Sequence, residues 1–127
     1  MEKLITNRII DYLNNRTGCK AWKRLNSGMS GTTGFPDITG VVVINGVGVR
    51  LEIEVKQLDE KPSSLQYSRL REFRILGCIS FWSASITSFK SQFAWWVQFY
   101  QFGGKELKFD DLLDSESFVV QDLKGEL

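Results

Sequence analysis

Near the N-terminus, apolar residues fall at Ile5, Ile9, Tyr12 and Leu13, with Arg8, Asp11 and Asn15 on other faces. That helical spacing predicts an amphipathic helix over residues 2 to about 15. From Cys19 to Asn26 the pattern shortens to a partial alternation, Ala21, Trp22 and Leu25 among Lys20, Lys23 and Arg24. This predicts a strand running into a glycine-rich loop from Ser27 to Gly34. Two apolar runs follow, Ile38 to Ile44 and Val47 to Val55, divided by Asn45-Gly46. The dipeptide predicts a two-residue β-hairpin turn, because both of its positions must adopt positive φ.

A turn of that length sets Ile44 opposite Val47 and fixes every other pair, bringing Asp37 opposite Glu54. One face of the hairpin then carries Ile38, Val42, Ile44, Val47, Val49, Leu51 and Ile53, and the other carries Asp37, Thr39, Glu52, Glu54 and Lys56. The first face reads as core and the second as the place for chemistry. A slip of one residue would exchange them and bury the carboxylates unpaired.

Downstream, Pro62, Ser63 and Ser64 open a second helix whose Leu65, Leu70, Phe73 and Leu76 share one sector, with Gly77 as its stop. Cys78 to Trp82 predicts a short strand. From Ser85 to Tyr100, the positions Ile86, Phe89, Phe93, Trp96, Val97 and Tyr100 predict a third helix with a serine N-cap. After Gly103-Gly104 the chain turns acidic and alternates weakly at Leu107, Phe109, Phe118 and Val120. The succession is that of an α/β domain over residues 1–102, a mixed sheet flanked by helices, followed by an acidic extension over 103–127.

Composition narrows the function classes. A chain of 127 residues encloses a core without staples, and its apolar and charged shares are those of an ordinary globular domain. No apolar run approaches the roughly 18 residues of a membrane span, and Met1-Glu2-Lys3-Leu4 lacks the apolar core of a secretory signal, so a cytoplasmic protein is expected. Cys19 and Cys78 form no CxxC and histidine is absent, which excludes the usual zinc sites and leaves two thiols that are buried or free. Catalysis would therefore rest on carboxylates, lysine or a bound metal. Residues 103–127 hold three basic and seven acidic side chains, a net of −4, which leaves +5 on the rest of a chain whose total is +1. A basic body suits a polyanion, although a solvated surface explains it equally.

Two carboxylates opposed across a hairpin have Cβ atoms about 4.5–5.5 Å apart, a spacing at which their oxygens can share one hard cation. Lys56 lies two residues beyond Glu54 on the same face, within reach of a phosphate or water there. Phosphodiester hydrolysis needs an activated water and neutralised charge, which such a set can supply without histidine. The plain alternative is that Asp37, Glu54 and Lys56 form the solvent face of an amphipathic hairpin.

The segments Gly34-Phe35-Pro36-Asp37-Ile38, Leu51-Glu52-Ile53-Glu54-Val55-Lys56-Gln57 and Ser64-Leu65-Gln66 together resemble the VRR-NUC branch of the PD-(D/E)XK nucleases. Glu2, the helix ending in Asp11-Tyr12-Leu13, and Trp22-Lys23-Arg24-Leu25-Asn26-Ser27-Gly28 extend the likeness upstream; beyond residue 85 little is diagnostic. The resemblance implies a restriction-endonuclease-like core of order αβββαβα. It also implies a magnesium or manganese ion held by Asp37, Glu54 and the Val55 carbonyl, with Glu2 completing the shell directly or through water. Lys56 would orient the attacking water, and Gln66 and Arg69 would face a phosphate. Glu52 competes as a ligand, but Glu54 stands two before Lys56.

Arg24 and Asn26 share a strand face from which they could touch the DNA backbone. Phe93, Trp95, Trp96, Phe99, Tyr100 and Phe102 exceed what one helix face can bury, which suggests a core for Phe93 and Trp96 and a symmetric dimer interface for the surplus. Stand-alone members of the branch are often phage-encoded and resemble Holliday junction resolvases, homodimers that cut branched DNA. The expectation is thus a metal-dependent, structure-selective DNA endonuclease of a bacterial or phage-infected cell. The competing readings are a non-catalytic DNA-binding or interaction module and a nicking or linear-duplex nuclease.

Overall fold

The computed structural model describes residues 2–25 and 33–103. The elements run α1 (Glu2–Asn14), β1 (Cys19–Lys23), β2 (Ile38–Ile44), β3 (Val47–Val55), α2 (Ser64–Ile75), β4 (Ile79–Ser83) and α3 (Ile86–Gln101). The four strands form one sheet in the order β1-β2-β3-β4; the first two pairings are antiparallel and β3 and β4 are parallel. This is an α/β arrangement with a mixed open sheet flanked by helices. The parallel pair needs a crossover, which α2 provides.

The hairpin follows the sequence pattern. Asn45 and Gly46 take φ of 52° and 78°, and Ile44 pairs with Val47 and Ile38 with Ile53. The apolar face is the main core: Ile38, Val42, Leu51, Ile53 and Phe81 of the sheet pack against Ile9 and Leu13 of α1 and Phe89 and Phe93 of α3. Phe81, Phe89 and Phe93 stack in series with centroids 5.6 and 5.5 Å apart, and Tyr12 meets Phe89 and Phe93 edge-on. Gly40 is needed where β1 crosses closest to β2, since a Cβ there would lie 2.5 Å from the Lys20 carbonyl oxygen. Val47, at the hairpin tip, is exposed although it belongs to the apolar face.

Helix α2 lies over the other face of β3 and β4, and its buried side differs from the expected one. Leu70 and Arg74 are buried while Leu65 and Leu76 are exposed. The sheet face beneath is polar, with Glu52, Glu54 and Ser80 all buried, so a leucine sector alone has no matching partner there. Arg74 Nε donates to the Ser80 carbonyl at 2.5 Å and its guanidinium lies 5.6 Å from the Trp96 ring centroid. Burial lowers its pKa to about 10. Leu70 joins Trp82 and Ala84 in a small second core.

Strand bounds also shift. β1 ends at Lys23 rather than Asn26, and β4 begins at Ile79 and ends at Ser83. The outer edge of β1 is blunted by Asn14, whose side chain accepts from Ala21 N at 2.8 Å and donates to Ala21 O at 3.0 Å, so the edge offers no open ladder to another chain there. Cys19 and Cys78 are free thiols, the second buried, and burial raises both above the usual thiol range. Among the described residues no helix is long and apolar enough to cross a membrane. Asn26, most of the glycine-rich loop and residues 104–127 lie outside the described residues.

Candidate active site

Asp37 immediately precedes β2. Its carbonyl accepts from Arg24 N at 2.7 Å, and its Oδ2 accepts from Val55 N at 2.9 Å. One step past Ile38↔Ile53, the hairpin register brings Asp37 beside Glu54, and the side chain bonds the backbone of the next residue along. The aspartate is therefore fixed at both its main chain and its carboxylate.

Glu54 is 2% exposed. Its Oε2 accepts from Gln66 Nε2 at 3.1 Å and lies 3.9 Å from Lys56 Nζ, while its Oε1 is buried without a hydrogen-bond partner. Burial first, then the charge of Asp37, pushes its pKa up to about 9; Lys56 opposes this, and the charge of Glu2 adds to it. In the protein alone, a proton on Glu54 is the cheapest way to keep two acids together in a dry place. The same position suits a cation in the proton's stead.

Gln66 is doubly engaged. Its backbone N donates to Ser63 Oγ at 3.2 Å and its Oε1 accepts from Ser63 N at 2.8 Å, a capping box that starts α2, and its amide nitrogen then reaches Glu54. Gln66, expected to face a phosphate, here contacts the acid on the same polar sheet face. Arg69 pairs with Glu72 at 3.0 Å and lies 5.4 Å from the Phe35 ring centroid, only partly exposed. Glu2 opens α1, half-buried, and acts on Glu54 through its charge.

The ambiguity between Glu52 and Glu54 has a physical answer. Glu52 is fully buried, and both its oxygens are occupied: Arg24 Nη2 makes a close contact with Oε1, and Thr39 Oγ1 at 2.5 Å and Arg50 Nε at 2.7 Å donate to Oε2. Arg24 also donates from Nε to the Pro36 carbonyl at 2.9 Å and faces the rings of Phe35 and Phe73. It is turned into the structure, where it ties the Pro36–Asp37 segment to β3, and is not directed outward to a DNA backbone. Asn26 lies outside the described residues.

This network and its neighbours are not evident in the pattern of the sequence. Ser80 and Trp82 pair with Glu52 and Glu54 across the parallel β3–β4 register, and Ser80 Oγ and Trp82 Nε1 are buried without partners. An unmatched glutamate at position 52 beside Arg50 was the available signal. The β4 register had none, since no turn specifies it.

Among the described residues no group of three or more histidine, cysteine, aspartate or glutamate side chains gathers as a metal cage. The acids that come together are Asp37 and Glu54. A two-carboxylate set of oxygen donors with one orphaned, buried oxygen fits magnesium, which keeps most of its waters and uses one or two carboxylates. In the α3 aromatic run, Phe93 and Trp96 are buried, Trp95 and Phe99 stack 5.5 Å apart at partial burial, and Phe102 is exposed. Compared with known family models, curated proteins and solved structures, the chain matches none.

Proposed function

We propose that the chain is a magnesium- or manganese-dependent endonuclease with a PD-(D/E)XK core of the VRR-NUC branch, hydrolysing phosphodiester bonds in branched DNA such as Holliday junctions. The observation that carries the reading is the unpartnered Oε1 of Glu54, held in a buried position beside Asp37 and Lys56. A purely structural carboxylate is saturated, as Glu52 is; one kept short of a partner points to a ligand.

Asp37 and Glu54 with the Val55 carbonyl would hold the ion, Glu2 joining directly or through water, and when bound it supplies charge neutralisation and a more acidic water. The chain's own residues do the rest. Lys56 sets its Nζ 3.9 Å from Glu54 Oε2, where it can hold a phosphate oxygen and steer a water toward phosphorus. Gln66 fixes Glu54 Oε2, so that Oε1 stays free for the ligand. Arg24 and Glu52 hold the Asp37 segment in register.

The dimer belongs to the same proposal. Phe102, Ile75 and Leu76 are exposed, Leu76 lies by Tyr100, and Trp95 and Phe99 are partly buried, apolar area that a second copy would cover. Two sites on one dimer suit the paired cuts of a junction.

The test is incubation of purified protein with four-way junction, flap, nicked and linear DNA in magnesium, beside Asp37→Ala and Lys56→Ala. The proposal expects cutting of branched substrates that both variants lose. Absence of cutting on all four moves the assignment to the non-catalytic module.

A further inference from the structure

The pairing register lays the first three strands out as transverse rows. Trp22 stands opposite Thr39 and Thr39 opposite Glu52; Lys20 stands opposite Val41 and Val41 opposite Arg50. Directly opposed side chains share a face, as does every second residue along a strand. The Thr39–Glu52 hydrogen bond confirms the assignment. Lys20, Trp22, Val41 and Arg50 therefore lie on the same sheet face as Glu54. Trp22 is one row, about 7 Å along the strand, from the row of Asp37 and Glu54, and Lys20 and Arg50 are two rows away.

Helix α2 packs on that face over β3 and β4. Among the described residues no helix packs over β1 and β2 on this face: Trp22 is 49% exposed, Lys20 and Val41 are exposed beside it, and Arg50 of β3 is exposed at the same row. Among the described residues the one acid of these rows, Glu52, is fully buried and matched by both Arg24 and Arg50, so the rows carry a surplus of positive charge. A half-exposed indole framed by cations and continuous with a carboxylate pair is the combination that binds single-stranded nucleic acid: a ring on which a base stacks and cations that follow the backbone.

We infer that this open sheet face is a track for an unpaired DNA strand, in which Trp22 stacks one base and Lys20 and Arg50 take backbone phosphates. The inference rests on the endonuclease reading and gives it a substrate requirement. Bases inside a duplex present no free ring face, so a nucleotide that is unpaired or that opens at a branch point next to the cut, as at a junction, flap or bulge, is what the track selects.

The experiment uses the full chain with a fluorescent oligothymidine in EDTA, so that binding is read without cutting. Anisotropy should show binding that Trp22→Ala weakens about 10-fold and Trp22→Phe largely restores. Lys20→Ala should reduce the slope of log K against log salt by about 0.7. Trp22→Ala should leave the melting temperature and the binding of a blunt duplex unchanged. The track is overturned if oligothymidine does not bind, if Trp22→Ala binds it like the native chain, or if duplex binding falls equally. A change of Trp22→Ala from dimer to monomer in solution would also overturn it, marking the face as a contact between copies. Trp22-dependent oligothymidine binding with no magnesium-dependent cutting of any DNA would remove the endonuclease reading and leave the track standing.

Discussion

Glu52 and Glu54 stand two residues apart on one strand, on one face and equally buried, yet every oxygen of Glu52 is partnered while Oε1 of Glu54 has no partner. Both carboxylates lie under α2, and the difference between them is made by their neighbours: two arginines and a threonine at one, an aspartate and a lysine at the other. One is saturated within the fold and silent, and the other is left with capacity for a ligand.

Removing the silent one should damage the fold. Glu52→Ala leaves Arg24 and Arg50 without their shared anion, and loss of one partner of a buried pair destabilises by about 3–5 kcal/mol. Urea unfolding measures it. A change below about 1 kcal/mol would mean that the network contributes little.

Glu54 should make stability depend on pH. Its pKa rises from 4.5 to about 9 on folding, so between those values the folded chain holds a proton that the unfolded chain has lost. Stability then falls as pH rises through this window, by up to about 1.4 kcal/mol per pH unit. Glu54→Gln removes the dependence, so in EDTA the variant should be more stable than the native chain at pH 8 and closer to it at pH 5. Equal slopes for the two proteins would contradict this.

The hairpin, and with it the meeting of Asp37 and Glu54, was legible because Asn45-Gly46 specifies a turn and a turn specifies a register. The three helices followed from period and caps, Ser85 among them. What α2 would cover was not legible. Its leucines suggested an apolar floor, but it crosses the row of Glu52, Glu54 and Ser80, and Arg74 is buried in place of Leu65 and Leu76. The same cover is why the acids form no solvent face. The inward turn of Arg24 was not legible either, because a strand of alternating lysines gives no sign that a glutamate 28 residues away needs it.

A divalent cation should replace the proton on Glu54. Magnesium is expected to raise the melting temperature of the native chain by several degrees at pH 8, about 2.7 kcal/mol at a concentration 100 times its Kd, and by less at pH 6. Asp37→Asn should abolish the shift. An equal shift in that variant would place the cation elsewhere.

Gln66 links the start of α2 to the site. Gln66→Ala should cost about 1 kcal/mol through the lost capping box and lower magnesium affinity by freeing Glu54 Oε2, whereas Ser63→Ala should cost similar stability with a smaller effect on magnesium. Calorimetric titration of both variants separates the two roles. Identical affinities would make Gln66 a cap alone.

The most direct measurement is cleavage of a four-way junction in magnesium by Glu54→Gln and Glu52→Gln, assayed side by side below both melting temperatures. Both changes keep shape and remove one charge. The account predicts that Glu54→Gln binds the junction without cutting it while Glu52→Gln still cuts. Cutting by Glu54→Gln at the native rate would contradict it.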